Sequence, residues 1–532
     1  MRKIVTVLLS LAMLVVVLVC GCSNDTDKGE CEHFWNAKTG TCAICGATCE
    51  HDWDADYCNV CKMICVHTAH DKTTEDCVVC GLNIRHSYKN SVCEHCDKSI
   101  PYTSAVSVEG GQIRGYSNGA GTVNIFKGVP YAASTGGQNR WHSPQPVVEW
   151  NGVRDCVKFG DACMQREPSN ESGYTSADLS EDCLSLNIWA PANKTNCPVL
   201  VFIHGGGNVS GGSAAADMDG ENCAKNGVVY VSVNYRLGIF GFLATEELLE
   251  ENDGAGNFAI LDLVKSLKWI QEYISLFGGN PDNVTVSGQS AGAQNVQMLT
   301  ITPKAKGLFK NAFAMSGPLS MTTIEKSVAS NKDRVPTGGV ALSTYTLAQL
   351  REMDAKQLVP YMIDHDWSYC VDGDIFLNDY TNSFLNGTAN DVNLLVGMVT
   401  GDTSTFGDDT TTNSAEKVLM TQMNGIATAR TQAIQTHNYT GKTYVYYFDH
   451  VPPQSTEAYH GADIPYFLNN LLVAKARLWR QSDYAVRDNM FSYVLNYVKT
   501  GNPNGEDLPE WVENTGNSVY MNLNVTCKMK SL

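Results

Sequence analysis

The sequence predicts an α/β fold, a central and mostly parallel sheet flanked by helices, preceded by a small Cys/His-rich repeat module. Three observations lead there. From Ile113 onward, short β-branched or aromatic runs alternate with helical patterns. Two of those runs lead straight into glycine-rich turns. Cysteine usage also changes abruptly: 11 of the 20 cysteines lie between Cys31 and Cys96, and only seven lie after residue 100.

At 532 residues, 43% hydrophobic and 18% charged, the chain is long enough for a large catalytic-sized domain plus a smaller one. A formal charge of -18 with no long Lys/Arg run excludes nucleic acid as a partner, because most of the surface would repel it. Met1-Arg2-Lys3 followed by the apolar run Ile4 to Val19 reads as a signal peptide, too short to span a bilayer comfortably. It ends in Val19-Cys20-Gly21-Cys22, which resembles a bacterial lipobox. That resemblance implies a signal peptide over 1–21, lipidation of Cys22, a tether over 22–30, and a protein held outside the cytoplasm on a bacterial membrane.

Residues 31–97 repeat a unit. Cys31 and His33 precede Cys42 and Cys45; Cys49 and His51 precede Cys58 and Cys61; Cys65 and His67 precede Cys77 and Cys80. A fourth copy is degraded, with Ile84 at the first cysteine position but His86, Cys93 and Cys96 kept. Three thiolates and one imidazole per unit make a tetrahedral structural zinc set, and so small a unit needs a metal or disulfides in place of a core. An extracytoplasmic address favours disulfides; the recurrent histidine, useless to a disulfide ladder, favours zinc. A filled site has no open position for a substrate, so the module reads as a spacer or a docking surface for a partner. Residues 98–105 are a polar linker, and 106–532 form the main domain.

Within that domain Pro198–Ile203 and Val228–Val233 are buried strands, Leu261–Phe277 has helical periodicity, and Asn283–Ser287 is a strand running into Gly288-Gln289-Ser290-Ala291-Gly292. A strand, a sharp turn bearing a serine and an immediate helix is a nucleophile elbow, whose flanking glycines let the two backbones approach. His204-Gly205-Gly206-Gly207 follows another strand. Backbone N–H groups of Gly206, Gly207 and Ala291 can converge on an oxygen that becomes negative during attack on an ester carbonyl.

A serine hydroxyl needs a base and an acid that orients it. The main domain holds His142, His204, His365, His437, His450 and His460; His460 follows the strand Tyr444–Phe448 and a proline-bearing loop, and is the base of choice. The acid should follow a strand between Ser290 and His460. Asn393–Val399 is that strand, with Asp402 just beyond it and Asp408 and Asp409 as rivals on the same loop.

With these residues in place, 106–527 resembles the type B carboxylesterase and cholinesterase family of the α/β-hydrolase superfamily. Phe277 to Gly292 resembles the family's active-site signature and Glu181 to Trp189 its second one, with further similar blocks at Phe126–Ala132, Asn234–Gly238 and Val371–Gly373. The resemblance implies ester hydrolysis without a cofactor, a triad of Ser290, His460 and Asp402, and a disulfide from Cys183 to Cys163, with Cys156 as a competitor. It also implies a hydrogen-bonding role behind the site for Ser316. Three departures matter. Gln289 replaces the usual Glu, which argues for small uncharged esters; Asp402 replaces the commoner Glu; and the stretch to His460 is short, which implies an open site. The competing expectation is a noncatalytic adhesion protein on the same scaffold, although such relatives usually lose a triad residue.

Overall fold

The computed structural model describes residues 100–532 apart from 167, 169–172, 337–338, 363–366, 403–414 and 472–478, together with four two-residue strands, Trp53–Asp54, Tyr57–Cys58, Tyr88–Lys89 and Val92–Cys93. Two units are distinguished, Met1–Ile84 and Arg85–Leu532, and the architecture below is that of the second. Cys22 and the ligand set Cys31, His33, Cys42, Cys45, Cys49, His51, Cys61, Cys65, His67, Cys77 and Cys80 lie outside the described residues, and of Cys58 only the backbone lies within them. Asp408, Asp409 and His365 also lie outside.

An 11-stranded sheet organises the domain. Its strands are β1 (Tyr116–Ser117), β2 (Val123–Pro130), β3 (Ser185–Pro191), β4 (Cys197–Ile203), β5 (Val229–Val233), β6 (Gly279–Gln289), β7 (Asn311–Met315), β8 (Asn393–Val399), β9 (Thr443–Phe448), β10 (Val519–Leu523) and β11 (Lys528–Ser531). Their spatial order is β11-β10-β9-β8-β7-β6-β4-β5-β3-β2-β1. The run from β10 to β5 is parallel throughout. Both margins are antiparallel.

Strands covered on both faces should be apolar without alternation. β5, β7 and β9 are buried at every residue, as Val229-Tyr-Val-Ser-Val, Asn311-Ala-Phe-Ala-Met and Thr443-Tyr-Val-Tyr-Tyr-Phe. The covering helices include α1 (Phe258–Tyr273), α2 (Ala291–Ile301), α3 (Ala415–His437) and α4 (Gln481–Thr500). The expected helix over Leu261–Phe277 starts earlier and closes as a 3-10 turn over Ile274–Phe277, where Gly278 turns left-handed at φ 81°.

Two of the sequence blocks owe their polar residues to buried pairing. Arg236, in Asn234–Gly238, donates to Asp262 of α1 from Nε at 2.8 Å and Nη2 at 2.6 Å, with both side chains sealed from solvent. Arg140 pairs with Glu181 at 2.5 Å and donates to the Leu350 and Met353 carbonyls. Such bidentate forks satisfy charges that burial would otherwise make costly. Cys163 and Cys183 form a disulfide, while Cys156 is a buried free thiol.

Candidate active site

The loops that follow β4, β6, β7, β8 and β9 all leave the carboxyl end of the parallel run, where open α/β sheets bind their ligands. They carry, in that spatial sequence, Gly205–Gly207, Ser290, Ser316, Asp402 and His460.

Ser290 stands between β6 and α2 with φ 59° and ψ -125°, a conformation that costs on the order of 1–3 kcal/mol and persists only when its surroundings hold it. Its N–H donates to the Met315 carbonyl at 2.8 Å, and its own carbonyl accepts from Gln294 N–H at 3.0 Å. The expected need for small flanking residues is met physically. A Cβ on Gly288 would lie 2.5 Å from the Gly292 carbonyl carbon, and one on Gly292 would overlap the Ile203 carbonyl. A Cβ on Gly205 would lie 2.9 Å from the Ser290 Cβ, so that glycine makes room for the serine itself.

Beyond Gly205, the residues Gly206, Gly207 and Asn208 take positive φ in succession, at 109°, 63° and 59°. The Gly206 carbonyl is consumed by the N–H groups of Val209 and Ser210. Among the described residues no partner takes the N–H groups of Gly206, Gly207 or Ala291. Three donors at a helix start and a glycine turn are chemically suited to an oxyanion.

His460 Nδ1–H donates to Asp402 Oδ1 at 2.5 Å, and the Gln289 amide donates to His460 Nε2 at 3.1 Å. These two bonds fix the neutral tautomer with the proton on Nδ1 and the lone pair on Nε2. Asp402 is fully buried, and its Oδ2 accepts the Val399 N–H at 2.8 Å; the His460 side chain keeps 22% of its surface exposed, so solvent reaches the base but not the acid.

Four features were not read from the sequence. Asp463 is fully buried three residues after His460; Tyr446 O–H donates to its Oδ2 at 2.6 Å, and its Oδ1 has no partner among the described residues. A second histidine–carboxylate pair, His450 Nε2 with Asp483 at 2.6 Å, is buried and tied to Arg480 and Tyr466, a latch between a loop and α4. Asn208 joins a buried polar ring with Tyr369 and Asn295. The sequence shows the charge that Gln289 lacks but not its bond to His460. The buried Ser316 donates its N–H to the Gly397 carbonyl at 2.8 Å, but its hydroxyl has no partner among the described residues. His204 serves structure: it stacks on Tyr235 with ring centroids 4.6 Å apart, and burial pushes its imidazole down to about 4, leaving it neutral.

The profile of the Carboxylesterase family matches residues 102–429 and 408–531. The chain belongs to the carboxylesterase family. Among relatives, this carboxylesterase is 38% identical to fumonisin B1 esterase of Sphingopyxis macrogoltabida over 267 residues, which are 49% of this chain and 46% of that protein. It is 29% identical to the para-nitrobenzyl esterase of Bacillus subtilis (strain 168) over 476 residues, covering 79% of this chain and 95% of the relative. Among solved structures it superposes on a Geobacillus stearothermophilus carboxylesterase with TM-score 0.69 at 27% identity, covering 81% of this chain and 98% of the other. Carboxylic ester hydrolysis is therefore the class of its activity.

Proposed function

We propose that this carboxylesterase hydrolyses small uncharged esters through a Ser290–His460–Asp402 triad and an acyl-enzyme. The observation that carries the reading is the tautomer of His460: Nδ1–H is spent on buried Asp402, and the Nε2 lone pair faces the elbow, where the Gln289 amide occupies it at rest. In the first step Ser290 Oγ bonds to the ester carbonyl carbon while its proton passes to that lone pair, and the N–H groups of Gly206, Gly207 and Ala291 receive the oxyanion. Collapse breaks the bond to the alkoxy oxygen, which leaves with the proton from His460. Water, giving its proton to the same nitrogen, then frees the acid and restores Ser290.

Gln289 supports uncharged substrates, because it brings no carboxylate beside the nucleophile. Relatives named a fumonisin B1 esterase and a para-nitrobenzyl esterase support ester hydrolysis as such. The test is turnover of a nitrophenyl acyl ester by wild type and Ser290→Ala: hydrolysis should vanish in the variant, and retained turnover would refute the assignment. In the same proposal the enzyme is held outside the cytoplasm by lipid on Cys22, and the repeats over 31–97 hold structural zinc and dock a surface partner. Labelled fatty acid should enter the wild type and not Cys22→Ser. Metal analysis of the full chain should find zinc that falls to about a third when Cys45 and Cys61 become Ser, because the set Cys65, His67, Cys77 and Cys80 stays intact; fully oxidised thiols without zinc would refute the metal.

A further inference from the structure

The glycines of the oxyanion loop have no side chains to pack, and positive φ at consecutive residues sets no position by itself. Asn208 is the first side chain after them. It is 2% exposed, and its amide enters a closed ring: Asn208 Nδ2–H donates to Tyr369 Oη at 3.1 Å, Tyr369 O–H donates to Asn295 Oδ1 at 3.0 Å, and Asn295 Nδ2–H donates to Asn208 Oδ1 at 3.2 Å. Every donor in the circuit meets an acceptor in the same rotational sense, the arrangement in which hydrogen bonds polarise and strengthen one another.

The three members come from different parts of the site. Asn208 directly follows Gly207. Asn295 lies four residues after Ala291 on the same face of α2. Tyr369 belongs to the short strand Tyr369–Val371, and its oxygen also lies 3.5 Å from the Ala291 carbonyl oxygen. Two further bonds pin the loop end of the ring: Gly238 N–H donates to the Asn208 carbonyl at 2.6 Å, and Tyr235 O–H donates to the His204 carbonyl at 3.0 Å. The ring therefore bridges the two halves of the oxyanion site, the Gly206/Gly207 half through Asn208 and the Ala291 half through Asn295.

We infer that Asn208, Asn295 and Tyr369 are positioning residues that set the spacing between the two halves of the oxyanion hole. They touch no reacting atom; they act through the backbone N–H groups that do. The inference rests on the proposed ester hydrolysis at Ser290. Removing the Tyr369 oxygen leaves Asn208 Nδ2 only its long bond to the Trp367 carbonyl at 3.4 Å and takes the Tyr369 donor from Asn295 Oδ1, so the link from loop to helix through the tyrosine is cut. Because a misplacement on the order of 1 Å costs up to about 100-fold in rate, partial loosening should cost about 10-fold.

The experiment uses the full chain with Tyr369→Phe, which removes one atom, and Asn208→Gly, which keeps the left-handed backbone but cuts the ring elsewhere. A fluorophosphonate titrates the active sites, so rates are expressed per functional serine and misfolded molecules drop out. On a nitrophenyl acyl ester, kcat per site should fall about 10-fold in both variants with KM within about twofold, since the oxyanion forms only after binding. The inhibition constant of a trifluoromethyl ketone, which makes an oxyanion on Ser290, should rise by the same factor as kcat falls. Wild-type kcat per site and unchanged ketone affinity in both variants would overturn this inference alone. An inactive wild type that no fluorophosphonate labels would overturn the ester hydrolase reading and this inference with it.

Discussion

Asp463 is the buried group that the proposed chemistry leaves unused, and its replacement by Asn has a calculable consequence. With burial the largest cause, the Tyr446 hydroxyl lowering it and repulsion from Asp402 raising it, its carboxyl is pushed up from 3.8 to about 6. The folded chain thus holds this proton more tightly than the unfolded chain does. Between those two values the native state binds more protons, so this group's contribution to stability falls as pH rises through the window. A shift of about two units at about 1.36 kcal/mol each gives about 3 kcal/mol, most of it lost between pH 4 and pH 7.5. Asp463→Asn cannot titrate. The Asn amide can still accept from Tyr446, and whatever its own constant cost, that cost cancels when the pH dependence is compared. Urea unfolding followed by tryptophan fluorescence at both pH values should show wild type losing about 2–3 kcal/mol more than the variant. Equal losses would refute the assignment of a raised carboxyl at this position.

Other consequences follow from the same geometry. Asp402→Asn should keep the fold but lower kcat by about 10⁴-fold, because an amide no longer holds the proton on Nδ1; nitrophenyl ester turnover measures it, and a loss under tenfold would contradict the tautomer argument. Asp262→Ala strands the Arg236 guanidinium in the interior, and urea unfolding should show a loss of about 3–5 kcal/mol. Gly292→Ala should abolish soluble expression or fluorophosphonate labelling, because its Cβ would overlap the Ile203 carbonyl.

Elements whose signal is local were legible in the sequence. The strand Asn393–Val399 has the bounds its apolar run suggests, and β5 begins one residue inside the expected Val228. The expected strand Asn283–Ser287 extends to Gly279–Gln289 because pairing with β4 continues past an irregularity to Gly279, a long-range choice that no periodicity encodes. At the site, glycines declared themselves because each needs an open φ or a close backbone approach. Partners did not. Asn208 and Tyr369 are separated by 161 residues, and His450 and Asp483 by 33. A single sequence shows that such polar residues exist, not that the fold brings them together in its interior. The choice of Asp402 over Asp408 and Asp409 needed the family resemblance for the same reason.

The central claim is a covalent acyl intermediate on Ser290, and rapid-quench mass spectrometry of the enzyme during turnover of a nitrophenyl acyl ester tests it most directly. An early burst of nitrophenol matched by one acyl group on the peptide containing Ser290, absent from Ser290→Ala, is the expected result. Ester turnover with no acyl group on that peptide, or with the group on another residue, would contradict the account.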